Sequence, residues 1–109
     1  MKHKYGEYTE FQISEFKKRI RKSIYVLLLS VDKNTSKQFE DSNIDAMFDS
    51  LLYELGGASN VLFHPSEIVE AVNLLERARL ELISKDFRWK VYRKLILDAG
   101  ACIGRIEEV

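Results

Sequence analysis

Residues 13–31 read ISEFKKRIRKSIYVLLLSV, and this stretch decides the fold class of the chain. Its apolar residues recur at intervals of three and four: Ile13, Phe16, Ile20, Ile24, Leu27 and Val31. An α-helix turns once every 3.6 residues, so this spacing places them on one helical face. Thr9 followed by Gln12 fits a capping box at the start of that helix. We therefore predict a first helix over residues 9–32.

Three more segments show the same apolar spacing and predict helices over residues 43–55, 65–84 and 86–106. Ser42 or Asn43 suits the cap of the second helix. Gly56-Gly57 is expected to end that helix, because glycine adopts the left-handed conformation of a helix cap at little cost. The polar stretch 32–41 is expected to be a loop.

Proline and polar residues mark the expected ends of the last two helices. Pro65 suits the first position of the third helix, because it has no N–H to leave unpaired. Ser84 or Asp86 suits the cap of the fourth. We expect the fourth helix to continue past Gly100, because Cys102 and the apolar residues after it keep the helical phase. An end at Gly100 is the alternative.

The composition fits one compact domain. The chain has 109 residues, of which 46% are hydrophobic and 31% charged, with one proline and five glycines. This length suits a single core, and so few helix breakers favour long helices. We predict an all-α fold, a four-helix bundle-like compact single domain over residues 9–109 with mostly antiparallel helices. Residues 1–8 are expected to be a flexible N-terminus.

The sequence also bears on location. Cys102 is the only cysteine, which rules out an intrachain disulfide and is typical of a reducing compartment. The apolar run 24–29 follows a basic run, as in a signal peptide. It is far too short to span a bilayer, and polar residues follow it instead of a cleavage pattern. We expect a cytoplasmic protein without membrane association.

The first and fourth helices carry candidate protein-contact residues. Four apolar side chains point away from the main stripe of the first helix: Phe11, Tyr25, Val26 and Leu29. Gly100 and Gly104 form a smooth notch on the fourth, where another backbone could approach closely. A protein partner or a second copy, as in a homodimer, would cover such surfaces. The alternative is burial within the fold.

Basic residues form two clusters although the chain has no net charge. The candidate basic patch combines residues of the first helix with residues around the start of the fourth: Lys17, Lys18, Arg21, Lys22, Arg88, Lys90, Arg93 and Lys94. If both clusters face the same way, they suit a phosphate backbone or an acidic protein. Otherwise they meet the acidic second helix or face water. The zero net charge and the lack of a recognisable motif weigh against nucleic acid.

Residue types that support catalysis or metal binding are few. His3 and His64 are far apart and have no metal-ligand spacing with Cys102, whose apolar helix face predicts an inert buried thiol. We therefore expect no catalytic residue, no metal and no cofactor.

Arg79 lies inside the apolar arc of the third helix. An unpaired buried guanidinium is very costly, so we expect Arg79 to pair with a carboxylate or extend to water. Glu76 and Glu54 are candidate partners. A ligand anchor is the less favoured interpretation.

The leading functional hypothesis is a small non-enzymatic helical protein that binds a protein partner or itself. Regulators, inhibitors and immunity-type proteins share its size and helix count, but no motif supports any of these classes. The alternative is a nucleic-acid-associated protein that uses the basic clusters, and a small enzyme is a remote third. A Leu29→Glu substitution is expected to abolish partner binding and to spare helicity.

Overall fold

The structure is a computed structural model that describes residues 2–3, 6–7, 10–39, 43–62 and 65–106. Its helices are α1 (Glu10–Leu29), α2 (Ile44–Val61), α3 (Ser66–Leu82) and α4 (Trp89–Gly104). Two short strands, β1 (Lys2–His3) and β2 (Gly6–Glu7), pair antiparallel. The all-α fold class is confirmed. The flexibility of residues 1–8 stays a prediction.

The four helices form an antiparallel ring. The α3–α4 contact is the most extensive, followed by α1–α4, α2–α3 and α1–α2. Lys17 near the start of α1 reaches the carbonyl of Ile106, just past the end of α4, whereas Tyr92 near the start of α4 reaches Leu27 near the end of α1. The pair α1 and α4 therefore forms one side of the ring, and α2 and α3 form the opposite side.

The core consists of the apolar faces that the spacing predicts, except that Ile83, which the same spacing places on the apolar face of the third helix, is 68% exposed. Fully buried side chains come from every helix, and the largest are Tyr92, Phe48, Ile13, Ile20, Ile24, Leu27, Leu55, Ile68, Leu75, Ile96, Ile103 and Ile106. Full burial of one such aliphatic side chain is worth about 1.5–3 kcal/mol. The hydrophobic effect at these positions therefore holds the four helices together.

α1 ends at Leu29, three residues earlier than predicted, and it ends without a glycine. The last four carbonyls of a helix need donors from elsewhere. Groups from residues 30–35 donate to three of them, those of Val26, Leu28 and Leu29. The fourth, on Leu27, accepts from the buried hydroxyl of Tyr92 at 2.8 Å. Tertiary contacts therefore set this helix end.

The prediction that Gly56-Gly57 ends the second helix is wrong. α2 continues through both glycines to Val61. Leu55, Ser59 and Leu62 share one face of this last stretch, and all three are buried. Their packing outweighs the cost of glycine in a helix, which is about 1 kcal/mol per residue. A Cβ at Gly56 or Gly57 would have no atom within 4 Å, so neither glycine permits a close approach.

The start of α2 follows the prediction. Asn43 caps the helix, and its side-chain oxygen accepts a hydrogen bond from the Ala46 N–H at 3.1 Å. Thr9 and Ser42, the other expected caps in the first half of the chain, lie outside the described residues. The expected loop over residues 32–41 contains a 3-10 helix, Ser36–Phe39, which the polar composition did not predict.

The starts of α3 and α4 differ from the predictions. Pro65 stands one position before the first residue of α3 and therefore acts as its N-cap position. α4 begins at Trp89, and its N-cap position is Arg88, not Ser84 or Asp86. The fourth helix does continue past Gly100, as predicted.

Glu81 closes the connection between α3 and α4. Its carboxylate accepts hydrogen bonds from the backbone N–H of Arg88 at 2.8 Å and from the Nε of the same residue at 3.1 Å. The hydrogen bonds from Arg88 lower the pKa of Glu81 below its ordinary value. Arg88 occupies the N-cap position of α4, but its side chain makes no capping hydrogen bond. Glu81 of α3 fixes the position of Arg88 instead, through these hydrogen bonds.

Candidate functional site

A groove of about 470 Å³ runs along the contact between α1 and α4. Its lining residues are Arg21, Lys22, Ile24, Tyr25, Ile96, Leu97, Gly100 and Ala101. Tyr25 is 54% exposed and Leu97 is 38% exposed. The structure thus brings together Tyr25 and Gly100, which the sequence placed on different helices.

The Gly100–Gly104 notch faces α1 of the same chain. A Cβ at Gly100 would lie 3.9 Å from the side chain of Ile24, and one at Gly104 would lie 3.7 Å from the guanidinium carbon of Arg21. Side chains of α1 therefore occupy the space in which the sequence predicted a second backbone. Gly100 still lines the groove, whereas the side chain of Arg21 packs against Gly104.

Four residues of the predicted basic patch have partners within the fold. Lys17 donates to the carbonyl of Ile106 at 2.9 Å, at the end of α4, where a cation complements the helix dipole. The other three form ion pairs, which are Lys18 with Glu15, Arg88 with Glu81 and Lys94 with Asp98. Half of the predicted patch is therefore paired within the fold, but none of these four partners lies on the acidic second helix.

The other four cations make no hydrogen bond or ion pair with residues that the structure describes: Arg21, Lys22, Lys90 and Arg93. Arg21 and Lys22 line the groove itself. Arg93 lies one helical turn before Leu97 and Lys90 lies two turns before it, so both continue the same surface. We define the α1/α4 face by Arg21, Lys22, Tyr25, Lys90, Arg93 and Leu97.

Of the remaining contact candidates, Phe11 and Val26 line other grooves, and Leu29 lies one helical turn after Tyr25. Phe11 is 72% exposed and lines a second groove, of about 700 Å³, between α1 and the end of α2, which shares Lys22 with the α1/α4 groove. Val26 lines a third groove, of about 480 Å³, together with Met47 of α2. Leu29 is half-buried. The six candidates therefore do not form one continuous surface.

Arg79 pairs with carboxylates within the fold, as expected, but these carboxylates are not the ones that the sequence suggested. Its guanidinium lies 2.6 Å from Asp49 and 3.7 Å from Asp45, both on α2. The predicted partners are wrong: Glu54 pairs with Arg19 of α1, and Glu76 lies one turn earlier on the outer side of α3. Sequence spacing along α3 could not reveal which turn of α2 faces Arg79.

The sign of the charge differs between the two sides of the ring. α1 and α4 together contain eight Lys and Arg against three Asp and Glu, whereas α2 and α3 contain two against seven. The sequence indicated an acidic second helix, but the contribution of α3 became evident only once α3 was placed beside α2. The molecule therefore has a basic side and an acidic side although its net charge is zero.

The acidic side also exposes apolar side chains that the sequence reasoning missed. Tyr53 is 86% exposed, Ile83 68%, Leu80 64% and Val69 43%. Val69 and Leu80 lie three turns apart on α3, and Ile83 follows as its C-cap, a pattern that was present in the sequence. We define the α2/α3 face by Asp45, Asp49, Tyr53, Val69, Glu76, Leu80 and Ile83.

Cys102 is buried in the core as expected. Its Sγ accepts a hydrogen bond from Arg105 at 3.2 Å, and burial together with the charge of Glu70 raises the pKa of the thiol. His64 lies outside the described residues. Among the residues that are described, no group of three or more His, Cys, Asp and Glu side chains is placed to hold a metal ion.

Comparison of this chain with known proteins identified no relative. A scan against protein-family models and searches of curated proteins and of solved structures found no match to this chain. In the part of the chain that the structure describes, each helix is too short or too polar to cross a membrane.

Proposed function

We propose that this chain is a non-enzymatic interaction protein and that its α1/α4 face binds an acidic surface of a protein partner. The observation that carries the proposal is the groove at Tyr25, where an exposed aromatic ring lies among cations that have no carboxylate partner in the described part of the chain. A reducing, cytoplasmic setting is part of the proposal, since it leaves Cys102 as a thiol.

The chemistry of the face suits a protein ligand. A few aromatic and arginine residues supply most of the energy of a protein interface, and Tyr25 and Arg93 are of these types. Tyr25 and Leu97 would be buried by a partner. Arg93 and Lys22 would meet its carboxylates, which favours fast, correctly oriented association over raw affinity.

A nucleic acid is the second candidate, and it is favoured by the same four cations, which have no partner among the described residues. Four phosphate contacts would make the logarithm of the binding constant fall with the logarithm of salt concentration with a slope of about −3.6. Half of the predicted basic patch is paired within the fold, which reduces the number of cations that phosphates could use. An apolar groove with Tyr25 and Leu97 is also unnecessary for contacts to a phosphate backbone.

The test uses a labelled amphipathic helical peptide that carries Leu and Glu on one face, with fluorescence anisotropy as the readout. We expect Tyr25→Ala and Arg93→Glu each to weaken binding about tenfold, which corresponds to about 1.4 kcal/mol. Matched controls are Phe11→Ala, which removes an exposed ring from another groove, and Arg77→Glu, which reverses an exposed charge on α3, on the opposite side of the ring. Both controls should bind as the wild type does.

Two outcomes would overturn the proposal. One is an acidic peptide that fails to bind, or that binds equally to Tyr25→Ala, Arg93→Glu and both controls. The other is tighter binding to mixed-sequence duplex DNA or RNA, with the steep salt dependence given above and no effect of Tyr25→Ala. That second result would establish the nucleic-acid candidate instead.

A further inference from the structure

The two opposite sides of the ring carry complementary patterns. The α1/α4 face has Tyr25 and Leu97 among cations without an ion pair to any described residue, and the α2/α3 face has Tyr53, Leu80 and Ile83 among carboxylates. Three acidic residues of α2 and α3 pair with arginines elsewhere in the fold: Glu54 with Arg19, Glu70 with Arg105 and Glu81 with Arg88.

The remaining carboxylates define what the acidic side offers to another molecule. Asp45 and Asp49 share the single cation of Arg79 and stay 64% and 69% exposed, so this cluster keeps a net negative charge. Glu76 is exposed and makes no ion pair among the described residues. It lies one helical turn before Leu80 on α3, so charge and apolar surface adjoin.

We propose that the acidic partner of the α1/α4 face is the α2/α3 face of a second copy of this chain. This inference rests on the proposed function and names its ligand. The arguments are the opposite charge of the two faces and the presence of exposed apolar side chains at both. Contact between them would bury Tyr25 and Leu97 against Leu80 and Ile83 and would place Arg93 and Lys22 near carboxylates.

The geometry of such a contact excludes a closed two-fold dimer. The faces lie on opposite sides of the ring, so a copy that binds through one face keeps the other face free. A heterologous contact of this kind propagates into open chains unless the rotation between copies closes a ring. The inferred head-to-tail series therefore differs from the homodimer expected from the sequence, which stays a prediction.

The size of the faces sets the expected strength. Helices of 16 to 20 residues are about 24–30 Å long and about 10 Å wide, so two of them present on the order of 500 Å² in projection. Specific interfaces bury about 800 Å² per partner, so this contact would be at the lower end of the size range of specific protein–protein interfaces. We expect weak association that grows with protein concentration and is reversed by salt.

Sedimentation velocity over a wide range of protein concentration, at low and high salt, tests the inference. The wild type should show a mass that rises beyond that of a dimer at low salt. Lys22→Glu with Arg93→Glu should block the basic face, and Glu76→Lys with Leu80→Lys should block the acidic face. Each double variant alone should be monomeric, with circular dichroism confirming that it is folded.

Mixing the two blocked variants gives the decisive readout. Each retains the face that the other lacks, so the mixture should form a one-to-one heterodimer and nothing larger. An isologous dimer through the α1/α4 face would instead leave the Glu76→Lys, Leu80→Lys variant dimeric and would give no heterodimer. That result would overturn the inference.

The experiment also tests this inference separately from the proposed function on which it rests. A wild type that stays monomeric at every concentration and salt overturns the head-to-tail contact. If the acidic peptide still binds to it through Tyr25 and Arg93, the proposed function stands and the partner is a different acidic protein. If the peptide does not bind either, both proposals fail.

Discussion

The hydroxyl of Tyr92, near the start of α4, donates a 2.8 Å hydrogen bond to the carbonyl of Leu27, in the last turn of α1. No backbone N–H is left for this carbonyl, because Val31, four residues on, donates to Leu28 instead. Tyr92 is fully buried, and burial raises its pKa, so the hydroxyl keeps its proton over the whole working range. The first and last helices are thus joined by a polar contact inside the core.

Replacement of Tyr92 by Phe should destabilise the protein by about 1–3 kcal/mol, because the buried carbonyl of Leu27 loses its donor. Urea unfolding followed by circular dichroism measures this loss. The matched control is Tyr25→Phe, which removes a hydroxyl at an exposed position and should change stability by less than about 0.5 kcal/mol. Equal effects in the two variants would show that the buried hydrogen bond contributes nothing.

Glu81→Gln should change how stability depends on acidity. The folded-state pKa of Glu81 lies below its ordinary value of 4.5, because Arg88 donates hydrogen bonds to the charged form. Its contribution to stability is therefore complete above pH 4.5 and is lost as the pH falls through the folded-state pKa.

Unfolding curves of wild type and Glu81→Gln over a pH series test this expectation. The difference in unfolding free energy between the two proteins should be constant near neutral pH and should shrink below pH 4.5. A difference that stays constant down to strongly acidic pH would mean that the Glu81–Arg88 contact has no electrostatic component.

Gly56→Ala and Gly57→Ala should each stabilise the protein by about 0.5–1 kcal/mol. Both glycines are helical, and a Cβ at either would meet nothing within 4 Å. Alanine is the better helix former and loses less conformational freedom on folding. Thermal unfolding measures the gain. A loss of stability in either variant would instead favour a chain that leaves the helix at the glycines.

The Cys102 thiol should react slowly in the native protein. It is buried, and burial together with Glu70 raises its pKa, so both access and the thiolate fraction are reduced. For a domain with a stability of about 5 kcal/mol, reaction through global unfolding is slowed by roughly a thousandfold or more. Ellman's reagent at mildly alkaline pH, with and without denaturant, gives the two rates. Rapid reaction without denaturant would place the thiol at the surface.

The apolar stripes were predictable because helical periodicity is a local property of the sequence. Ile13, Ile20 and Leu27 lie in the core as their spacing requires. The helix ends were less predictable, because contacts from other helices decide them. Packing of Leu62 carries α2 beyond its glycines, and the Glu81–Arg88 contact sets the start of α4.

The candidate site depended on the order of the helices around the ring, which no local pattern contains. Sequence spacing identified Tyr25, Gly100 and the basic residues separately. It could not show that α1 lies beside α4, which places Tyr25 next to Leu97. For the same reason Arg79 was correctly expected to pair, but its partners Asp45 and Asp49 were not identified.

The contact between α1 and α4 has a consequence for the order of folding during synthesis. Lys17 and Ile106, which it joins, are separated by 89 positions in the sequence. A chain made from its N-terminus can first place α1 only against α2, the least extensive of the four helix contacts. Part of the apolar face of α1 therefore stays exposed until α4 has left the ribosome, and exposed apolar surface of this kind makes an incomplete chain prone to aggregate.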